Sequence, residues 1–129
     1  MPERWDCVRN GLEKGHFDAG GRLPETGDGR IRYVKGLFQE TLRPFLKDFE
    51  PAHRIVVHND STLYSSTLFG LTQLDALLVG GSLLIFDEFY SSSHEFQAFY
   101  DYTKSYLRRY RVLAAVGRDP YLKTAIYLE

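Results

Sequence analysis

The sequence is poor in the residue types that would tie it to several broad classes of protein. It contains one cysteine, Cys7, so no internal disulfide can form, and Cys7 lacks the histidine or cysteine spacing of a zinc site. We therefore expect a reducing, cytoplasmic setting. No apolar run approaches the roughly 20 residues that cross a bilayer, and the first residues lack the apolar core of a signal peptide. We expect no membrane association.

An excess of charge of either sign is also lacking. The 129 residues include 16 lysines and arginines and 17 acidic residues, for a formal net charge of -1. This balance provides no general attraction to nucleic acid or to an anionic membrane surface. The 43% hydrophobic content is enough for one domain with a real core. We expect a small molecule or a protein as the partner, and no nucleic acid.

Residues 1–30 lack the periodicity of a helix or a strand. They hold six of the eleven glycines and two of the five prolines, which are residues that favour turns and loops. A structureless stretch of this length predicts a loop or lid segment at 1–30, followed by a folded part at 31–129.

The folded part alternates strand patterns with helix patterns. Pro44 is tolerable in the first helix only within its first turn, and Ser92 and Glu95 have the spacing of a capping box at the start of the last helix. The turn at 117–120 is too short for a parallel crossover, so the last two strands should be antiparallel. The order predicts an α/β fold with a mostly parallel sheet and one antiparallel strand at its end. The predicted strands are 30–35, 54–60, 82–88, 111–116 and 123–128, and the predicted helices are 41–49, 63–78 and 92–109.

Acidic residues end two of the predicted strands. Asp60 ends strand 54–60, and Asp87 and Glu88 end strand 82–88. Because the carboxyl ends of neighbouring parallel strands lie side by side, these three carboxylates should meet at the edge where such sheets bind ligands. Three carboxylates suit a hard cation such as Mg2+. The open alternative for Asp60 is a cap on the helix that follows it.

Two histidines lie close to these acids in the sequence. His58 falls within strand 54–60, where a partly buried imidazole with its hydrogen bonds satisfied is the commoner interpretation. His94 falls in the predicted capping box, which favours a plain role at the start of a helix.

Five segments, in this order along the chain, are similar to motifs of one enzyme family. Together they cover nearly the whole chain and resemble the macrocin-type sugar O-methyltransferases, which are class I S-adenosylmethionine-dependent enzymes. The segments are KGHFDAGGRLP (14–24), VKGLFQETL (34–42), HNDSTLYSST (58–67), GSLLIFDEF (81–89) and HEFQAF (94–99).

The resemblance implies a Rossmann-like sheet with helices on both faces, S-adenosylmethionine as cofactor and Mg2+ at the strand ends. By position, Asp60 and Asp87 match metal ligands, and Glu88 stands where relatives often have a second aspartate. The metal would hold the acceptor and lower a hydroxyl pKa, while a base removes the proton as the oxygen attacks the methyl group. The implied function is metal-assisted O-methyl transfer to a sugar or another hydroxylated small molecule.

Four positions bear on catalysis and the cofactor under this resemblance. Asp60 is the candidate catalytic carboxylate. The family's proposed base lies two residues beyond the first metal ligand, and this chain has Thr62 there, whose hydroxyl cannot act as a base at neutral pH. Gly36 and Phe38 lie in the turn that contacts the adenine side of the cofactor in relatives.

The chain departs from the family pattern at its start. Relatives begin with a strand and a glycine-rich cofactor loop, followed by a second strand, and residues 1–5 resemble the stretch after that second strand. We therefore expect residues 31–129 to be the C-terminal part of a class I methyltransferase domain. Strand 54–60 would then form an apolar sheet edge, where we expect a second copy or a partner chain to pair. The alternative function is a catalytically inactive methyltransferase-like module that acts in protein pairing, or a gene remnant.

Overall fold

A computed structural model describes residues 20–90, 92–117 and 122–129, in two compact units that divide after Tyr33. The described part of the first unit, residues 20–33, contains turns but no helix or strand. Within it, the Asp28 carboxylate accepts a hydrogen bond from the Arg30 guanidinium at 2.7 Å. Most of the predicted loop or lid at 1–30 lies outside the described residues.

The strand predicted at 30–35 does not form. These residues have no regular secondary structure, and no described strand pairs with them. An isolated extended segment has no ladder to receive its backbone N-H and C=O groups, so alternation of side chains alone does not make a strand.

In the second unit, the described residues form one four-stranded sheet of order β1-β2-β4-β3. Its strands are β1 (Val56–Asn59), β2 (Leu83–Phe86), β3 (Tyr110–Val116) and β4 (Lys123–Leu128). β1 and β2 are parallel, whereas β2–β4 and β3–β4 are antiparallel. The predicted α/β class and the terminal antiparallel pair are therefore confirmed. The described sheet is mixed rather than mostly parallel, because β4 lies between β2 and β3 and is antiparallel to both.

The described residues form three helices beside the sheet: α1 (Phe38–Lys47), α2 (Tyr64–Leu74, continued by a 3-10 turn at Asp75–Leu77) and α3 (Glu95–Ser105). α1 begins three residues before its predicted start, so Pro44 lies beyond the first turn rather than within it. Proline there removes one helical hydrogen bond. The bond from the Thr41 hydroxyl to the Leu37 carbonyl, at 2.9 Å, strengthens the first turn.

The core lies between α2, α3 and one face of the sheet, which we call the inner face. Phe86 on β2 meets Phe99 on α3 with ring centroids 5.5 Å apart. Each such buried side chain contributes roughly 1.5–3 kcal/mol. The other members of the buried cluster are Leu71, Leu78, Leu84, Tyr102, Ile126 and Leu128.

Both described helices that bury core residues, α2 and α3, lie on the inner face. Helices on both faces of the sheet were expected from the resemblance, and the described residues place none against the outer face. Val56 and Val116, which point to that outer face by their register, are 57% and 63% exposed. Within the described ranges, no helix has the length and apolar character needed to cross a membrane.

Candidate functional site

The carboxyl ends of β1 and β2 lie side by side, as the parallel pairing requires. Asn59 and Phe86 are register partners at the end of the ladder, and the Asp87 N-H donates to the Asn59 carbonyl at 3.2 Å. Asp60 follows β1 and is exposed, while Asp87 and Glu88 follow β2 and are partly buried. The structure therefore brings the predicted acids to one sheet edge, which we call the acidic edge.

A lysine that the sequence reasoning missed reaches this edge. Lys123 begins β4, and its ammonium donates to the Asp87 carboxylate. That hydrogen bond raises the pKa of Lys123, and the negative charges of Asp87, Asp60 and Glu88 raise it further. The three predicted acids thus act together on one cation, and that cation is a side chain of this protein.

The acidic edge has the right donor chemistry for Mg2+ but not the arrangement. Carboxylate oxygens are its preferred protein ligands. Among the described residues, however, no three His, Cys, Asp or Glu side chains are close enough together to hold a metal ion. Asp87, the middle candidate, is already paired with Lys123. As folded here, Asp60, Asp87 and Glu88 do not fit a magnesium ion, and no catalytic step is assigned to one.

Glu95 is the second residue that the sequence reasoning missed, and it connects the two strand ends. Its side chain is fully buried at the start of α3. One carboxylate oxygen accepts from the Asn59 side-chain amide at 2.6 Å and from the Thr62 N-H at 3.4 Å. The other oxygen accepts from the Glu88 N-H at 2.9 Å. A single carboxylate therefore holds the segments after β1 and β2 in their relative positions.

Burial controls the charge of this carboxyl group. Desolvation raises the pKa of Glu95, and the nearby charge of Glu88 adds to that effect. The hydrogen bonds from the Glu88 N-H, the Thr62 N-H and the Asn59 amide oppose it by stabilising the carboxylate. Glu95 was expected to close a capping box with Ser92, but α3 begins at Glu95 itself, and no side chain caps that helix.

The segment between β1 and α2 is a strained polar turn. Thr62 has a φ of +59°, a conformation that β-branched residues rarely adopt. Such strain costs on the order of 1–3 kcal/mol and persists only where neighbouring contacts enforce it. The contacts here are the bond from the Thr62 N-H to Glu95 and a polar cluster in which the Ser61 hydroxyl lies 2.9 Å from the Thr67 hydroxyl.

The alternative role of Asp60 as a helix cap is wrong. α2 begins at Tyr64, with Leu63 at the cap position and no side-chain hydrogen bond to the first turn. Asp60 therefore precedes the helix by too many residues to cap it. An exposed carboxylate that does not cap a helix remains available to a ligand.

The structure places the two histidines of this region on β1 and at the start of α3. His58 is exposed on the outer face of β1, opposite Ile85, so the expected partial burial is wrong. His94 occupies the cap position of α3 without a capping hydrogen bond, which agrees with a plain role at the helix start.

The predicted cofactor residues lie at the start of α1. Gly36 has a φ of +140°, and a Cβ there would lie 2.6 Å from the Thr41 side chain, so glycine is required for close packing against the helix. Phe38 is the first residue of α1 and is 43% exposed. No described hydrogen bond, ion pair or ring contact joins Gly36 or Phe38 to the acidic edge. The cofactor role of both residues stays a prediction.

The chain was compared with other proteins at the levels of family, sequence and fold. No protein-family model, no curated protein and no solved structure matches it.

Proposed function

We propose that this protein is an S-adenosylmethionine-dependent O-methyltransferase whose acceptor is a sugar or another hydroxylated small molecule. The ordered resemblance of five segments to the macrocin-type enzymes supports this function. The observation that carries the proposal is the position of Asp60, Asp87 and Glu88 just after the ends of two parallel strands, where α/β sheets bind ligands.

The proposed reaction needs a nucleophile, a leaving group and a proton acceptor. The acceptor's hydroxyl oxygen attacks the methyl carbon of the sulfonium, the carbon-sulfur bond breaks, and S-adenosylhomocysteine leaves as a neutral thioether. The hydroxyl proton goes to a carboxylate, and the exposed Asp60 is the candidate. Thr62 is not the candidate base, because a neutral hydroxyl is too weak a proton acceptor at neutral pH.

Transfer of label from methyl-labelled S-adenosylmethionine tests this function. The purified chain is incubated with the cofactor and a panel of sugars and polyols, and labelled product is separated. Label in a product, lost on Asp60→Asn and retained on Asp48→Asn, supports the proposal. Asp48 is exposed at the end of α1 and serves as the matched control. Label transfer that survives Asp60→Asn would remove Asp60 as the base.

The second candidate function is protein pairing by a methyltransferase-like module without catalysis. The observation that favours it is that β1 is an edge strand of the described sheet. It pairs with β2 on one side, and no described strand pairs with its other side. An unpaired strand edge is a template for another strand. Amide hydrogen exchange at Val56 and His58 tests this candidate, because amides of an unpaired edge exchange rapidly in the free protein.

A further inference from the structure

The β1 strand leaves one side of its backbone open in the described part of the chain. The Leu83 N-H donates to the Ile55 carbonyl and the Asp87 N-H to the Asn59 carbonyl, so the odd-numbered residues of this segment face β2. Successive residues of a strand direct their backbone groups to opposite sides. The N-H and C=O groups of Val56 and His58 therefore face away from the sheet, and no described backbone group pairs with them.

The opposite edge strand, β3, is less suited to pairing. Its register with β4 shifts between Val112 and Ala114, which marks a bulge. Bulges and positive charges are the usual means by which proteins protect an edge, and Arg109 and Arg111 lie at the start of this strand. β1 has no bulge, proline or lysine, so it is the edge at which addition of a strand is expected.

The open groups of β1 are self-complementary about Val57. If two copies of β1 align antiparallel with Val57 opposite Val57, each Val56 lies opposite His58 of the second copy. Both residues then face the partner, which makes them hydrogen-bonded pairs that exchange two bonds each. In this register, the N-H and C=O groups of Val56 and His58 in each copy all find partners in the other copy.

The charges beside β1 favour the same register. Arg54 and Asp60 are equally distant from Val57, so each Arg54 lies opposite Asp60 of the second copy. Both residues are exposed, and neither takes part in an ion pair within the described part of the chain. The Arg54 guanidinium lies over Gly81, just before β2, so its flexible side chain would turn outward to reach Asp60 of the second copy. Opposite charges that face each other across an antiparallel pair are stabilising, whereas a parallel alignment in register would place like charges together.

We propose that the occupant of the β1 edge is a second copy of this chain, paired antiparallel about Val57 to form a continuous eight-stranded sheet. This inference rests on the pairing function, the second candidate above. The paired strands are short and their interface is small, so the dimer should be weak and depend on concentration.

Cysteine cross-linking tests this register directly. Val57→Cys in a Cys7→Ser background places the one thiol of each chain opposite its counterpart. Facing residues of this non-hydrogen-bonded kind have Cα atoms about 4.5 Å apart, within the reach of a disulfide. We expect a covalent dimer of twice the 14.9 kDa chain mass under mild oxidation.

Val56→Cys in the same background is the matched control. Val56 is 57% exposed, whereas Val57 is partly buried against the core. In the proposed register the two thiols introduced by Val56→Cys would lie diagonally, with Cα atoms roughly 7–8 Å apart, at the limit of disulfide geometry. The more buried thiol should therefore cross-link several times faster than the more exposed one. Faster linking of the Val56→Cys chain would overturn the register.

Charge exchange provides a second test that does not depend on oxidation. Arg54→Glu places two acids opposite each other, and sedimentation should show a lower dimer fraction over a roughly hundredfold range of concentration. Adding Asp60→Arg to that variant restores opposite charges and should restore the dimer. A double variant no better than the single one would contradict the pairing of Arg54 with Asp60.

Hydrogen exchange separates failure of this dimer from failure of the pairing function. A monomer at every concentration, with rapid exchange at Val56 and His58, would overturn the second copy as occupant and leave an open edge for another protein. A monomer with slow exchange at both amides would overturn the dimer and the pairing function together, because the edge would then be covered within the chain.

Discussion

Among single residues, Glu95 bears most on the arrangement of the acidic edge. Glu95→Gln keeps the side-chain volume but turns one acceptor oxygen into a donor, so the Glu88 N-H or the Thr62 N-H loses its partner. A buried donor left without an acceptor costs about 1–3 kcal/mol. We expect that loss in the free energy of unfolding measured with urea. Glu50→Gln, at an exposed loop position, should change it little.

The same residue should leave a signature in the pH dependence of stability. Burial raises the pKa of Glu95 above its ordinary value of 4.5, so the folded state keeps a proton that the unfolded chain releases. The stability due to this group is full below that ordinary value and declines as pH rises through the raised pKa. The cost of Glu95→Gln should therefore be larger in acid than at neutral pH. If the loss of unfolding free energy caused by Glu95→Gln grows as pH rises, the hydrogen bonds outweigh burial in setting the pKa of Glu95.

Lys123 should decide how the acidic edge responds to a divalent cation. Lys123→Met removes the ammonium and leaves three acids that repel each other. We expect Mg2+ to raise the melting temperature of this variant more than that of the parent chain, because divalent cations in solution screen the repulsion that the ammonium no longer offsets. Lys47→Met, at the exposed end of α1, is the control. Equal responses to Mg2+ in all three chains would show that the Lys123 charge does not offset repulsion among these acids.

Phe38 is the residue through which the cofactor prediction can be tested. Stacking of a base on an aromatic ring contributes about 1–3 kcal/mol. If Phe38 contacts adenine, Phe38→Ala should weaken the binding of S-adenosylhomocysteine in a calorimetric titration by roughly fivefold or more. Leu37→Ala, which truncates an exposed neighbour, should not. Equal loss in both variants would point to damage to the start of α1 rather than to a stacking contact.

At the scale of elements, a partly buried ionic cluster joins α2, α3 and the approach to β3. The Asp75 carboxylate accepts from the Tyr102 hydroxyl at 2.7 Å and from the Arg108 guanidinium at 2.6 Å. Burial raises the pKa of Tyr102, and the bond to Asp75 raises it further. Asp75→Asn should cost about 1–3 kcal/mol in unfolding free energy, because a charged partner is lost from both donors. A cost within about 0.5 kcal/mol, as expected of surface sites, would contradict this account.

The strands of the core could be predicted from the sequence because their signals are local. β4 spans Lys123–Leu128, the range predicted for it, and β2 lies within 82–88. The strand at 30–35 had the same local signal and does not form, since a strand also needs a neighbour. Side-chain alternation reports which residues suit a strand but not which segments pair.

The acidic edge could be predicted in part for the same reason. Parallel pairing of β1 and β2 follows from the intervening helix, and it brings Asp60 close to Asp87. Lys123 and Glu95 were missed because their contacts with the edge come from distant segments. Lys123 reaches the edge because β4 returns antiparallel beside β2. Glu95 reaches it from the first residue of α3, which begins three residues after the predicted start at 92. Contacts between segments so far apart in the sequence leave no local sequence pattern that predicts them.

At the scale of the whole molecule, the described sheet is covered on its inner face and open on its outer face and at β1. The inner face carries the core, and the open surfaces carry exposed Val56 and Val116. These exposures show that the described residues leave the outer face of both edge strands uncovered. The two candidate functions use different parts of this sheet: methyl transfer uses the acidic edge at the ends of β1 and β2, and pairing uses the open side of β1.

Isothermal titration of the 129-residue chain with S-adenosylhomocysteine tests the central claim most directly. The titration is run with and without Mg2+, on protein shown to be folded by circular dichroism. The methyltransferase proposal predicts saturable binding with a dissociation constant on the order of micromolar. Absence of binding by the folded chain under both conditions would contradict it.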